Sequence, residues 1–314
     1  MVRTALLVGL NYKHDEKMTL KSSYNNVLLM EQYLIKEQGF DKEHIIIITD
    51  LGYDGTENIN GSYFSIIKCI KDMINVSNNN DFLFFYFTGY SQKIDDDNDN
   101  NMLIPADFDK NTITNELLKI LFEKTSSTTF SIFDTLNCKN NMNLKYNYFS
   151  TPHYLKNNLS EFSNNKLNTI SISNSITNHD HEKVLQFTKG TVRWYGVFTY
   201  YLIKLFTDED VDSFKMLLIS LKENEFLNKC ILSINKDSLL FAKPFNVYFS
   251  EESQKKNIDE NESILKIKKI NRENRILKKE IKNLNETIKR YKEALGINTT
   301  VNCGSFQHLL YSLH

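Results

Sequence analysis

Residues 82–87 read Phe-Leu-Phe-Phe-Tyr-Phe, six large apolar or aromatic side chains in succession. A strand with one wet face alternates polar and apolar residues. An unbroken run is buried on both faces, as happens in a parallel sheet covered by helices on each side. Residues 4–10 (TALLVGL) and 45–49 (IIIIT) are nearly as apolar, and 130–134 and 168–173 supply two further strand candidates. Helical periodicity runs over about 20–38, 61–75, 113–123, 192–206 and 212–226. Strands alternating with helices predict an α/β fold, a doubly wound sandwich with a mostly parallel sheet. Pro244–Ser250 reads as a late strand closing the domain. Polar clusters at 54–60, 93–101 and 137–147 read as loops. In open α/β sheets the functional crevice lies beyond the C-terminal strand ends. Gly89–Tyr90 and Thr135–Leu136 fall there.

With 314 residues, 41% of them hydrophobic, the chain can bury one sizeable core and carry an appendage. A net charge of −1 gives no global field that favours nucleic acid or an acidic membrane, and neither is expected as a partner. The four cysteines, Cys69, Cys138, Cys230 and Cys303, show no paired C-x-x-C spacing, so a reduced, cytoplasmic protein is expected. The N-terminal Met-Val-Arg-Thr runs straight into an apolar stretch without the flanks of a signal peptide. No apolar run approaches the length of a bilayer span.

Six segments, in order, resemble those of the metacaspases, a family of caspase-like cysteine proteases. Ala5–Tyr12 (ALLVGLNY) resembles the first strand and turn, A-L-L-I-G-I-N-Y. Leu20–Asn26 (LKSSYNN) stands where the family has L-R-G-C-x-N-D, and Ile45–Asp50 is similar to the strand I-I-x-L-T-D. Ile104–Phe108 resembles Y-P-x-D-F, Thr169–Asn174 the strand entering the substrate pocket, and Val192–Phe206 a Tyr/Phe-rich helix. The resemblance covers roughly residues 4–250 and implies a caspase-like α/β/α sandwich.

The two catalytic strand ends of that family read S-G-H-G and D-S-C-H-S-G. Here residues 81–91 (DFLFFYFTGYS) and 129–138 (TFSIFDTLNC) match them, so the resemblance puts Tyr90 at the His position and Leu136 at the Cys position. A cysteine protease needs a thiolate and a base that takes its proton near neutral pH. Leucine has no nucleophile, and a phenol with a pKa of about 10 is a poor base at pH 7. The family's pocket acids, which hold a substrate Arg or Lys, correspond to Asn26 of the Asn25-Asn26 pair and to Thr177, which implies a neutral pocket. The family's calcium ligands correspond to Asn100, Thr114, Asn115 and Asn143, too poor in carboxylates for a hard cation. No metal or other cofactor is expected. Asp95, Asp96, Asp97 and Asp99 read as a solvated acidic loop, and His179-Asp180-His181 as a polar loop without a third metal ligand. Cys138 lies two residues beyond the nucleophile position and reads as an inert loop thiol.

Past a charged linker over 251–263, the pattern changes. Ile267, Ile270, Asn274, Leu277, Ile281, Leu284, Ile288, Tyr291 and Leu295 occupy alternating a and d positions of a heptad, a coiled coil over 264–296 that favours a two-stranded parallel assembly. Asn274 at an a position fits a register device. Residues 297–314 form a tail. Domains are therefore expected at 1–250, 251–263, 264–296 and 297–314. The function expected is that of a catalytically inactive metacaspase-like protein, homodimeric through Ile267–Leu295, that binds, scaffolds or regulates a protein partner the sequence does not name. Two alternatives stand beside it: an active cysteine endopeptidase with a non-standard nucleophile, and a structural coiled-coil protein with a passive α/β domain.

Overall fold

The computed structural model describes residues 2–51, 61–94, 101–109, 111–135, 142, 144–149, 155–157, 168–174, 184–188, 191–208, 211–245, 281 and 284–288. It divides into two compact units, Met1–Ser250 and Glu251–His314.

The first unit is built on strands β1 (Arg3–Gly9), β2 (Ile45–Thr49), β3 (Phe82–Gly89), β4 (Ser91–Lys93), β5 (Asn101–Leu103), β6 (Ile113–Thr114), β7 (Thr128–Thr135), β8 (Tyr146–Phe149), β9 (Leu155–Asn157), β10 (Thr169–Asn174), β11 (Val184–Thr188), β12 (Thr191–Tyr195) and β13 (Cys230–Ile234). The helices are α1 (Ser23–Gln38), α2 (Tyr63–Asn75), α3 (Asn115–Phe122), α4 (Val197–Asp208) and α5 (Phe214–Glu223). An eight-stranded sheet has the order β2-β1-β3-β7-β10-β13-β8-β9. Its first five strands are parallel, and β13, β8 and β9 each run antiparallel to the neighbour before them.

Strand parity divides the core into two layers. Ala5, Leu7, Phe82, Phe84, Tyr86, Phe130 and Ile132 pack with α1, α4 and α5. Leu6, Val8, Leu83, Phe85, Phe87 and Phe133 pack with α2 and α3. The apolar runs are thus explained: both faces of β1, β3 and β7 lie under helices, the α/β/α arrangement expected. Helix starts are fixed by Ser62, Thr114 and Ser213, whose side chains accept from backbone N–H groups of the first turns of α2, α3 and α5. α1 stops at Gly39, which takes the left-handed conformation (φ 65°) and returns its N–H to Leu34 O.

Three sequence expectations are corrected. Residues 191–195 pair with β11, so the helix expected from 192 starts at Val197. Alternation wins over helical periodicity there because a hairpin partner is present. The late strand expected at 244–250 is absent from its described part: 244–245 form a turn, with Phe245 at φ 61° and its ring against Phe84 and Phe130. Residues 246–250 lie outside the described residues. The sheet is instead extended by Cys230–Ile234, a strand the sequence reading passed over. Polar loops expected at 93–101 and 137–147 contribute ends to β4, β5 and β8.

One row of the sheet is polar and buried. Ser131 of β7, Ser171 of β10, Ser233 of β13 and Asn147 of β8 are successive register partners. Their side-chain oxygens have no hydrogen-bond partner among the described residues. A buried unsatisfied hydroxyl costs about 1–3 kcal/mol. Ser171→Ala should therefore raise the unfolding free energy by roughly 1 kcal/mol, read as a higher denaturant midpoint; a lower midpoint would show that the hydroxyl has a partner.

Candidate functional site at the strand ends

The parallel register brings the C-terminal ends of β1, β3, β7 and β10 to one edge. Gly9 pairs with Thr88, Thr88 with Asp134, and Ser173 with Phe133, which sets Asn174 beside Asp134. Asp134 is the only acid in the otherwise apolar and hydroxyl-bearing β7, and it is buried.

Neutral donors surround its carboxylate. Thr199 Oγ1, in the first turn of α4, donates to Oδ2 at 2.6 Å. Asn26 Nδ2, on α1, also donates to Oδ2 at 3.3 Å, and Asn174 Nδ2 donates to Oδ1 at 3.3 Å. Asn26 Nδ2 lies equally near Thr88 Oγ1, while its Oδ1 accepts from Gly196 N at 2.8 Å. Thr199 gives its proton to Asp134, so the Tyr86 hydroxyl, 2.6 Å away, donates to Thr199. Gly196 is required at the β12–α4 turn: a Cβ there would come within 2.7 Å of Asn26 Nδ2 and 2.8 Å of Asp134 Oδ2. Asn25 holds the same turn by donating to Trp194 O, and the Lys21 ammonium lies 5.3 Å from the Trp194 ring centre.

The carboxylate acts on its neighbours. Burial first, and then the Asp134 charge, raise the Tyr86 phenol well above its ordinary pKa. The same two causes, in the same order, raise the Cys230 thiol. Cys230 is thus held protonated, the wrong state for a nucleophile.

Tyr90 stands just past β3, half-buried, its ring centre 5.1 Å from that of Tyr12. Tyr12 is buried with a positive φ of 53°, and Asp50 fixes it there by accepting from the N–H groups of Asn11 and Tyr12. The Tyr12 hydroxyl donates to Ile104 O at 2.6 Å and accepts from Tyr90 N at 2.9 Å. Burial above all keeps this phenol protonated, far above the usual tyrosine range. Ser91 Oγ donates to Thr135 Oγ1 at 3.0 Å and ties the start of β4 to the end of β7.

The expected site residues therefore divide. Tyr90 and Asn26 lie at the strand-end edge. Leu136, Thr177, Asn100 and Asn143 lie outside the described residues, as do Cys138, the aspartates at 95–99 and His179–His181. Thr114 and Asn115 serve the start of α3: Thr114 Oγ1 accepts from Leu117 N, and Asn115 Oδ1 from Glu116 N. Asn26, one of the two positions from which a neutral pocket is expected, lies in hydrogen-bond contact with the Asp134 carboxylate. Asp134 falls within the 129–138 motif, and a lone acid in a buried strand is the signal that marks it. Thr199, Asn174 and Tyr12 were missed because only the folded register brings them to this edge. Chemically, the described part of the edge offers phenols, amides, hydroxyls and one carboxylate already bonded to three side chains.

Residues 3–145 match the family profile of the metacaspase, peptidase C14 domain. Metacaspase III c of Phaeodactylum tricornutum is 32% identical over 116 residues, 35% of this chain and 33% of that protein. Metacaspase-1 of Plasmodium berghei is 24% identical over 196 residues, 56% of this chain and 33% of that protein. The chain spans about a third of the length of these curated relatives. Among solved structures, protein GSU0716 from Geobacter sulfurreducens superposes with a TM-score of 0.52 at 13% identity, covering 79% of this chain and 100% of that one, which is a likeness of fold. Residues 3–145, which carry β1, α1, β3 and the Asp134 strand end, are thus the part of this chain that is similar to the metacaspase, peptidase C14 domain.

Proposed function

We propose that the chain is a metacaspase-like pseudoprotease that works by binding another protein rather than by cleaving it. The observation that carries this reading is the state of the strand-end groups. Asp134 is bonded to Thr199, Asn26 and Asn174, and the neighbouring Cys230 thiol is buried and held protonated. Tyr90 packs on Tyr12, whose hydroxyl is engaged on both sides. Nucleophilic catalysis needs an accessible thiol or hydroxyl within reach of a base; the hydroxyl that reaches the Asp134 carboxylate, that of Thr199, is fully buried, and the Cys230 thiol is held protonated. Leu136 at the matching nucleophile position extends the argument from the sequence. Among the described residues Cys69 and Cys230 are in no disulfide, which suits the reducing cytoplasm, and no helix is long and apolar enough to cross a membrane.

Assembly is proposed through the heptad seam. In the second unit the described residues are helical, and Ile281, Leu284 and Ile288 are exposed. They occupy successive a and d positions, a stripe that a parallel partner helix would cover.

Purified protein should leave Arg- and Lys-containing peptides intact, with or without calcium; thiol-dependent cleavage that disappears in Cys138→Ala would establish an endopeptidase instead. Thr114 and Asn115 already bond the start of α3, so millimolar calcium should leave the melting temperature unchanged. A site occupied at a hundred times its Kd would add about 2.7 kcal/mol, and an upward shift would reveal one. Light scattering should find a dimer at roughly tens of micromolar, the range where a weak coiled coil is still paired. Leu284→Lys should make it monomeric; a monomeric unaltered chain would remove the seam from the account.

A further inference from the structure

Away from the strand ends, α4 and the C-terminal end of α5 bound a groove of about 430 Å3. Its construction starts at Asn224. The Asn224 N–H bonds Ser220 O and ends α5, and Asn224 Oδ1 accepts from Phe226 N at 2.9 Å, a side-chain-stabilised turn. The turn lays Phe226 flat on Tyr201 of α4, with ring centres 4.0 Å apart and an interplanar angle of 5°. Tyr200 meets the Tyr201 ring edge-on at 5.3 Å. Leu205, one turn further along α4, lines the groove from its buried position. Phe226 remains 38% exposed, so the stack presents an aromatic surface to an incoming group. Three carboxylates border it, Asp208, Glu223 and Glu225, against the single ammonium of Lys204. Among the described residues, Asp208 and Glu225 have no ion-pair partner.

We propose that this groove docks an arginine-bearing segment of a partner protein. A guanidinium is planar and weakly hydrated; it stacks on an aromatic face and pairs with carboxylates through a fork of N–H donors. Its aliphatic stem has Leu205 and the ring stack to lie along. The excess of negative charge at the rim is local, because the whole chain carries only −1. It therefore complements a positive peptide at this place rather than everywhere. The volume lies within the range of about 300–1,000 Å3 usual for ligand clefts. The proposal goes beyond the pseudoprotease reading, since an active peptidase could carry the same groove.

The test is fluorescence anisotropy with the full chain and a labelled nonapeptide containing two arginines flanked by leucines. Glutamine and glutamate versions of the same peptide serve as comparisons. Mass spectrometry of the recovered peptide reports cleavage separately, so a failure of the pseudoprotease reading is seen on its own. The arginine peptide should bind more tightly than both comparisons, and more weakly as salt rises. Asp208→Asn with Glu225→Gln should weaken it by about tenfold or more. These two side chains are at the surface, so the fold stays intact; Phe226→Ala removes the stack and should weaken binding independently. Equal affinity for the arginine and glutamine peptides, or unchanged affinity in both variants, would overturn the proposal. So would a groove variant that changes the oligomeric state instead, since the occupant would then be a second copy of the chain.

Discussion

A buried carboxylate organises the strand-end edge of this protein. Asp134 emerges from the most enclosed part of the sheet, between β3 and β10, where an ion without partners would cost several kcal/mol. Neutral donors come from three places: α1 through Asn26, β10 through Asn174 and α4 through Thr199. Each donor is held by its own element, so the carboxylate fixes where α1 and α4 meet the sheet. The fit leaves no room at the β12–α4 turn for anything larger than Gly196. The hydrogen of Thr199 is committed to Asp134, which in turn sets the direction of the Tyr86 hydroxyl.

That arrangement accounts for the character of the edge. A thiol beside an acid in a dry place becomes a weaker acid, and Cys230 is in that position. A basic group brought to the carboxylate would compete with donors already in place. On α4, Thr199 and Tyr201 are two residues apart, about 200° around the helix. One side chain therefore belongs to the buried network while the other stacks with Phe226 at the groove. A single helix carries both the polar anchor of the core and the aromatic surface proposed for docking.

The sheet was legible in the sequence because burial on both faces leaves an apolar record, as in Phe82–Phe87; the edge strand β2 carries a similar run although Ile45, Ile46 and Ile47 are only half-buried. Strands beyond β10 were harder to read. Cys230–Ile234 is short and its serine interrupts the run, whereas 245–249 (FNVYF) looks more strand-like, yet Phe245 takes a positive φ and turns its ring into the core. Local propensity could not decide between them, because pairing with β10 is a tertiary event. Tyr90 and Asn26 were found from motif positions. Asp134 sat in plain view, but its partners lie 40 to 108 residues away in sequence, and nothing in their local patterns marks them.

The Asp134 carboxylate is held by the protein itself. A carboxylate kept buried for a bound cation is a liability in the free protein, and its isosteric amide relieves that liability. A carboxylate serving as the common acceptor of a network loses charge-assisted hydrogen bonds on the same change, at about 1.5–3 kcal/mol each. The decisive measurement is the unfolding free energy of Asp134→Asn against the unaltered chain. A loss of at least about 1.5 kcal/mol is expected; a gain in stability would instead mark Asp134 as a site awaiting a ligand.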